Sequence, residues 1–388
     1  MAGSVIRLDL PAELKASLAS GHPWVYRSQV PGEPDLPTGT WVQVNAGGWT
    51  AYGLWDARSP IGVRLFSRHG VPDAAWVAAR VGEAWEARAP VRAGSTTGYR
   101  WVYGESDGLP GIVVDLYGEF AAVHTYAEAV EGLVPWVADA LHAHTPLQGI
   151  VWRQPQGGEP RPLWGRPPPP DLVIEEQGLL FQADLLAGQK TGFYFDQRDN
   201  RRTLAAWCER QAVLDCFCYT GAFALYALRG GAASVTACDG AAGAIEAARG
   251  NLALNGFDPA EHSFLVADCF QLLEQYAGEG RRFDVVVLDP PSMARSREGR
   301  RAAERAYLRL NRWAMQCVRP GGLLASASCT SQVSPESFRE ILGEAARRTG
   351  RRLLILHEAG QPADHPVPAH FPEARYLKFV LGRLLPLP

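Results

Sequence analysis

The sequence predicts an α/β protein whose C-terminal half is a doubly wound parallel sheet, preceded by a small β-barrel-like module and a small α+β segment. Three observations carry this. From about residue 187, nearly continuous apolar runs alternate with helical patterns, as expected of strands buried on both faces. Four consecutive runs end in a carboxylate: Asp215, Asp239, Asp268 and Asp289. The first 68 residues instead carry short β-like runs separated by Gly/Pro breaks.

Taken in order, segments 5–10, 40–48, 49–56 and 61–68 read as strands, with a turn-rich break at 30–39. Helical apolar spacing follows over 74–92. Strands are predicted at 99–107 and 111–130, the second broken as a hairpin at Tyr117-Gly118-Glu119. A helix over 131–145 and a strand at 149–154 come next. Composition marks 154–171 as a loop, and 171–185 reads as another hairpin. Then come the alternating pairs: strand 212–217 and helix 222–231, strand 234–239 and helix 241–256, strand 263–268 and helix 269–280. Strand 283–289 and helix 303–318 follow, then strand 321–329 and helix 335–350. Strands at 353–360 and 374–384 close the chain.

A chain of 388 residues predicts two or three domains. Their expected bounds are 1–70, 71–186 and 187–388. The start has no basic-then-apolar layout, and no run of about 18 apolar residues exists. A cytoplasmic protein away from membranes is therefore expected. All seven cysteines fall between Cys208 and Cys329, an odd number in one region and a poor disulfide framework. The reducing cytosol is the simpler setting. Cys216-Phe217-Cys218 lacks a second Cys/His pair at ligand spacing, so no metal is expected. The net charge of −3 argues mildly against a nucleic-acid partner. Charge can be local, however. Arginines 295, 297, 300, 301, 305, 309 and 312 stand against only Glu298 and Glu304. A solvated helix face is the ordinary fate of such a run.

Ligands bind doubly wound sheets outside the carboxyl ends of the strands, which is where the four acids fall. A lone Asp after a strand is usually a helix N-cap; four in succession make that account insufficient. Gly221 in Asp215-Cys216-Phe217-Cys218-Tyr219-Thr220-Gly221 lets a ligand approach the backbone. The acid of the second strand can take both ribose hydroxyls, and that of the third an adenine amino group. No G-x-G-x-x-G follows the first strand and no G-x-x-x-x-G-K-[ST] loop exists. A nucleoside without a pyrophosphate fits better, and S-adenosylmethionine is one. Asp289-Pro290-Pro291 is a rigid turn presenting one carboxylate, suited to the edge of a nucleobase. Cys329 ends the fifth strand beside it. Carbon 5 of cytosine is a poor nucleophile until a thiolate adds to carbon 6, so a cysteine and an acid on adjacent strand tips suit that reaction.

These residues together resemble bacterial 23S rRNA (cytosine-C5)-methyltransferases with an N-terminal PUA domain, a class I S-adenosylmethionine fold. The carriers are Gly21-His22-Pro23-Trp24-Val25-Tyr26, the segment Gly104 to Gly111 with Asp115, and Gly188-Gln189-Lys190-Thr191-Gly192-Phe193. Asp196-Gln197-Arg198-Asp199-Asn200-Arg201, Tyr219-Thr220-Gly221, Asp289-Pro290-Pro291, Ser328-Cys329 and Gln361-Pro362-Ala363-Asp364-His365-Pro366 complete them. The resemblance implies Cys329 as nucleophile with Asp289 beside the base. It implies cofactor contacts from Asp215, Phe217, Tyr219, Thr220, Gly221, Asp239, Gly240, Asp268 and Cys269, with Lys190, Phe193 and Arg198. RNA, specifically 23S rRNA, is the implied partner, with Arg295, Arg297, Arg300 and Arg301 as candidate contacts; a homodimer is left open. Three positions depart from the family pattern: Met293 stands for the common Phe, Asp239-Gly240 replaces Asp-Ile or Asp-Ser, and no second cysteine lies beside the Pro-Pro turn. Two other readings stay open: methylation of an exocyclic amino group, and RNA binding without catalysis. Ser292 lacks the aromatic ring that amino-methylating [DN]-P-P-[YF] sites use.

Overall fold

The structure, a computed structural model, describes residues 5–32, 34–155, 159–186, 192–294 and 298–387. The chain divides into two compact units, each interleaved in sequence with the other.

The first unit comprises Met1–Gly178, Ala183–Phe195 and Ala363–Ala374. Its N-terminal sheet runs Ile6–Leu10, Trp41–Ala46, Trp49–Trp55, Ile61–Ser67, Trp24–Tyr26 in spatial order. Trp41–Ala46 alternates half-buried and buried residues, so one face closes over Val25, Val42, Val44 and Val63. The two-residue turn Gly47-Gly48 has φ of +54° and +84°, which matches the strand twist of a tight hairpin. A second sheet runs Arg161–Gly165, Gly149–Arg153, Phe120–Thr125, Ile112–Tyr117, Gly98–Tyr103. The helices Ala74–Ala87 and Val134–His144 pack together beside it.

Two expectations are corrected here. The segment 154–171 is not all loop, because Arg161–Gly165 pairs antiparallel with Gly149–Arg153. Its proline content hides an edge strand, the one place in a sheet that tolerates a missing N–H. The helix over 74–92 breaks at Arg88, whose buried guanidinium spans Asp107 at 2.7 and 2.6 Å and donates to Asp364 O at 2.9 Å. Asp364 also accepts from the Arg100 amide, and Arg100 grips Asp115 at 2.8 and 2.9 Å. In this unit Asp107 and Asp115 therefore anchor the ion pairs of Arg88 and Arg100, and Asp364 ties the two arginines together through hydrogen bonds.

The second unit comprises Leu179–Gln182, Asp196–Pro362 and Arg375–Pro388. Its strands are β1 (Ala212–Cys216), β2 (Ser234–Asp239), β3 (Ser263–Val266), β4 (Phe283–Leu288), β5 (Val318–Ser328), β6 (Arg351–Ala359) and β7 (Lys378–Pro386). Its helices are α1 (Arg198–Ala205), α2 (Ala222–Arg229), α3 (Ala242–Leu254), α4 (Cys269–Glu279), α5 (Arg300–Cys317) and α6 (Pro335–Arg348). The sheet order is β3-β2-β1-β4-β5-β7-β6, parallel except where β7 runs against both neighbours. Leu214, Val286, Leu288, Leu324 and Val380 from the strands pack with Leu310, Ala314, Phe338 and Leu342 from α5 and α6. The order reverses between β1 and β4, so their tips flank the crevice of the sheet.

Candidate active site

The β1 tip turns sharply into α2. Phe217 and Tyr219 hold φ of +62° and +48°, a conformation costly for residues with a Cβ, and Gly221 follows at +77°. A Cβ on Gly221 would meet Ala248 Cβ of α3 at 2.9 Å, so helix packing as well as the turn requires this glycine. Asp215 is fully buried beneath the turn; its Oδ2 accepts from the Ala224 amide at 3.0 Å, at the start of α2. Burial pushes the Asp215 carboxyl well above the usual carboxylate range, and the neighbouring Asp289 and Asp239 push it further. Asp215 Oδ1 and Thr220 Oγ1 are buried with no hydrogen-bond partner among the described residues. Such orphaned acceptors under a strained turn, ringed by carboxylates, fit a cationic ligand with an ammonium group.

At the β2 tip, Asp239 takes the Tyr219 amide on Oδ2 and the Ala241 amide on Oδ1, both at 3.0 Å. Each oxygen keeps a further lone pair for a hydroxyl. Gly240 is exposed, with open space where a Cβ would lie. Asp268 caps α4, its Oδ1 accepting from Phe270 at 2.8 Å and Gln271 at 3.0 Å. The capping role of an Asp after a strand is thus real at this position, and its exposed side chain leaves Oδ2 without a protein partner among the described residues. Cys269 is buried; its Sγ accepts from the Phe217 amide at 3.2 Å and lies 3.6 Å from Cys238 Sγ. It supports the turn from below.

The β4 and β5 tips meet at a polar hub. Thr330 Oγ1 bonds the Tyr307 hydroxyl of α5 at 2.8 Å and accepts from the Met293 amide at 3.1 Å. Ser292 Oγ lies 3.3 Å from the same oxygen and donates to Ala294 O. The Cys329 thiol, directly before this hub, donates to Pro290 O at 3.8 Å. The structure thus brings Cys329 and the Asp-Pro-Pro turn together. Six cysteines are buried and Cys329 alone is partly exposed; no disulfide links any of them. Burial pushes the Cys208 thiol up to about 12 and that of Cys317 up to about 11, values that suit inert core residues.

Sequence reasoning gave no role to three groups here. Gln197 Nε2 donates to Asp289 Oδ1 at 2.9 Å, and Asn200 Nδ2 donates to Gln197 Oε1 at 2.6 Å and to Gly360 O at 3.2 Å. The Asp196 to Arg201 block therefore orients the Asp289 carboxylate. The third is Lys378, which donates to Thr330 O at 2.6 Å. A lysine inside an apolar terminal strand was the available signal.

Arg198 is buried at the first turn of α1. Phe193 is buried against Phe195, with ring centroids 5.5 Å apart, within the first unit. Lys190, Arg295 and Arg297 lie outside the described residues. Arg300 is exposed and pairs with Glu304 at 2.7 Å, while Arg301 is exposed with no ion pair among the described residues. No group of His, Cys, Asp and Glu among the described residues could hold a metal ion, and no described helix is long and apolar enough to cross a membrane.

Comparisons with known proteins bear on the family and the fold. A family model described as S-adenosylmethionine-dependent methyltransferase matches residues 153–377, and a PUA-like domain model matches residues 10–68. Ribosomal RNA large subunit methyltransferase I of Shewanella denitrificans is 36% identical over 394 residues, covering 98% of this chain and 99% of the relative. The protein of the same name from Aeromonas salmonicida is 36% identical over 381 residues, covering 95% and 96%. A putative S-adenosylmethionine-dependent methyltransferase from Streptococcus mutans superposes with a TM-score of 0.87 over 98% of this chain and all of the other, at 21% identity. A putative methyltransferase complexed with SAH gives the same score, identity and coverage. At that identity these two structures speak to the fold alone. With the family model over more than half its length and relatives aligned nearly end to end, the chain belongs to the S-adenosylmethionine-dependent methyltransferases, in the family of ribosomal RNA large subunit methyltransferase I.

Proposed function

We propose that this protein methylates carbon 5 of a cytosine in large-subunit ribosomal RNA, with Cys329 as covalent nucleophile. One observation carries the chemistry: the single partly exposed cysteine stands 3.8 Å from the carbonyl of Pro290, in the Asp-Pro-Pro turn. RNA as substrate rests on the relatives' names and on the PUA-like match; 23S rRNA is the specific target this reading adopts. In the same reading, residues 1–70 form the RNA-binding module, 71–186 a middle domain and 187–388 the catalytic domain.

S-adenosylmethionine supplies an electrophilic methyl group when bound. Asp215 and Thr220 would take its ammonium end, Asp239 the ribose and Asp268 the adenine, with the Phe217–Gly221 turn between them. Cys329, as thiolate, adds to carbon 6 of the base; the new Sγ–C6 bond pushes electrons to carbon 5. After carbon 5 has gained its methyl group, it loses its proton to water and the Sγ–C6 bond breaks, restoring the thiolate. Asp289, fixed by Gln197, faces the N3 and amino edge of the ring. The base is flipped or single-stranded, since carbon 6 is out of reach in a stack.

RNA carrying 5-fluorocytosine at the target is expected to trap a denaturation-resistant adduct, because fluorine does not leave carbon 5 as a proton does. Cys329→Ser should form no adduct and lose nearly all methyl transfer. A serine variant with near-normal turnover would favour amino methylation instead. At present Ser292, which offers no ring to stack on a base, counts against that alternative.

A further inference from the structure

We infer that Lys378 is the charge partner of Cys329: its ammonium, buried at the β5–β7 tip, stabilises the Cys329 thiolate. The purpose of this pairing rests on Cys329 being the nucleophile; its geometry does not. Lys378 is 3% exposed and pairs in register with Ser328, the residue before Cys329. Its Nζ donates to two backbone carbonyls, Thr330 O at 2.6 Å and Tyr376 O at 2.8 Å. Among the described residues it has no carboxylate partner. Two neutral carbonyls satisfy two of three N–H groups and none of the charge. A buried ammonium without an anion is costly, so such a group is retained where an anion is needed.

The ionisable groups around it identify that anion. Cys329 favours the charged lysine, Arg375 just before β7 disfavours it, and burial, the largest effect, pulls Lys378 down to about 8. From α5, the Tyr307 phenol is pushed up to about 12 by burial and stays neutral. Asp196 receives the Tyr376 hydroxyl at 2.6 Å rather than the lysine. Asp289, on the neighbouring tip, is an acid that would oppose a second negative charge nearby. A thiolate at Cys329 thus needs a compensating cation, and Lys378 is a buried one on the neighbouring strand, in register with Ser328. Because Nζ also holds the carbonyl of Thr330, the same bond fixes the backbone that carries the thiol. Lys378 is therefore a positioning residue with an electrostatic task.

The test is the pH dependence of Cys329 alkylation by iodoacetamide in the full chain, read by mass mapping of the Cys329 peptide. The wild type should titrate below the value of about 8.5 for a free thiol. Lys378→Met should move the midpoint up by about one unit, a tenfold loss of reactivity at neutral pH. Lys378→Arg should keep it near the wild-type position. A folded Lys378→Met variant with an unchanged profile overturns the proposal. If that variant does not fold, the wild-type profile decides, since a midpoint at or above about 8.5 also overturns it. Adduct formation with 5-fluorocytosine RNA separates the two claims. A shifted profile without an adduct removes the nucleophile role and keeps the pairing; an adduct with an unshifted profile does the reverse.

Discussion

Asp239 shows how one side chain can serve both the fold and a ligand. Its two oxygens already hold the Tyr219 and Ala241 amides, which fixes the left-handed turn that precedes α2. A ribose would add hydroxyl donors to oxygens that are already oriented. Asp239→Ala should therefore weaken S-adenosylmethionine binding by tenfold or more, since a hydrogen bond to a charged group contributes about 1.5–3 kcal/mol. Isothermal titration calorimetry reads this directly, and unchanged affinity would remove Asp239 from the site. The acids themselves were legible in the sequence because each ends an apolar run. Their division of labour was not. Asp268 caps α4 through Oδ1 alone and keeps Oδ2 for a ligand, while Asp215 lies buried below the turn; only coordinates show how capping and ligand contact share such a residue. Gln197, though part of a family block, received no role for a related reason: its partner Asp289 is remote in sequence, so no local spacing pairs them.

At the scale of strands and helices, the buried runs of β1, β2 and β4 were plain because a strand covered on both faces has no polar alternation to blur it. The strand Arg161–Gly165 was not, because turn-like composition outweighs a short edge strand. In the first unit, the strand Phe120–Thr125 is buried along its whole length and includes His124. Burial first, then Arg100 and Arg153, push this imidazole down to about 4 against the favourable pull of Asp115. Its Nε2 has no partner among the described residues. Between the folded value near 4 and the ordinary 6.5, the unfolded chain binds a proton that the folded chain does not. Stability should therefore fall as pH drops through that window, by up to about 3 kcal/mol at its acid end. Urea denaturation of wild type and His124→Asn across the window checks this. The variant should show a flatter acid limb, and parallel limbs would mean the proton is taken up elsewhere.

For the whole molecule, the decisive quantity is charge. With 38 basic and 41 acidic side chains, the chain as a whole does not attract RNA at long range. Any phosphate contact must come from local excess, and α5 begins with one. The helix turns Ala303, Tyr307, Leu310 and Ala314 inward, which leaves Arg301 and Arg305 on the outer face. The two arginines at its start are not equivalent, however. Arg300 already faces Glu304 at 2.7 Å and Ser337 Oγ at 3.1 Å, whereas Arg301 has no ion pair among the described residues. An exposed pair contributes little to stability, about 0–1 kcal/mol, but it does neutralise the charge that a phosphate would seek. If α5 borders the bound RNA, log affinity should fall linearly with log salt. Arg301→Ala should then reduce that slope by about 0.7 for a single-stranded contact, and Arg300→Ala by clearly less. Binding isotherms at several salt concentrations give both slopes. Equal slopes in wild type and Arg301→Ala would make this end of α5 a solvated face and move the phosphate contacts to other parts of the chain.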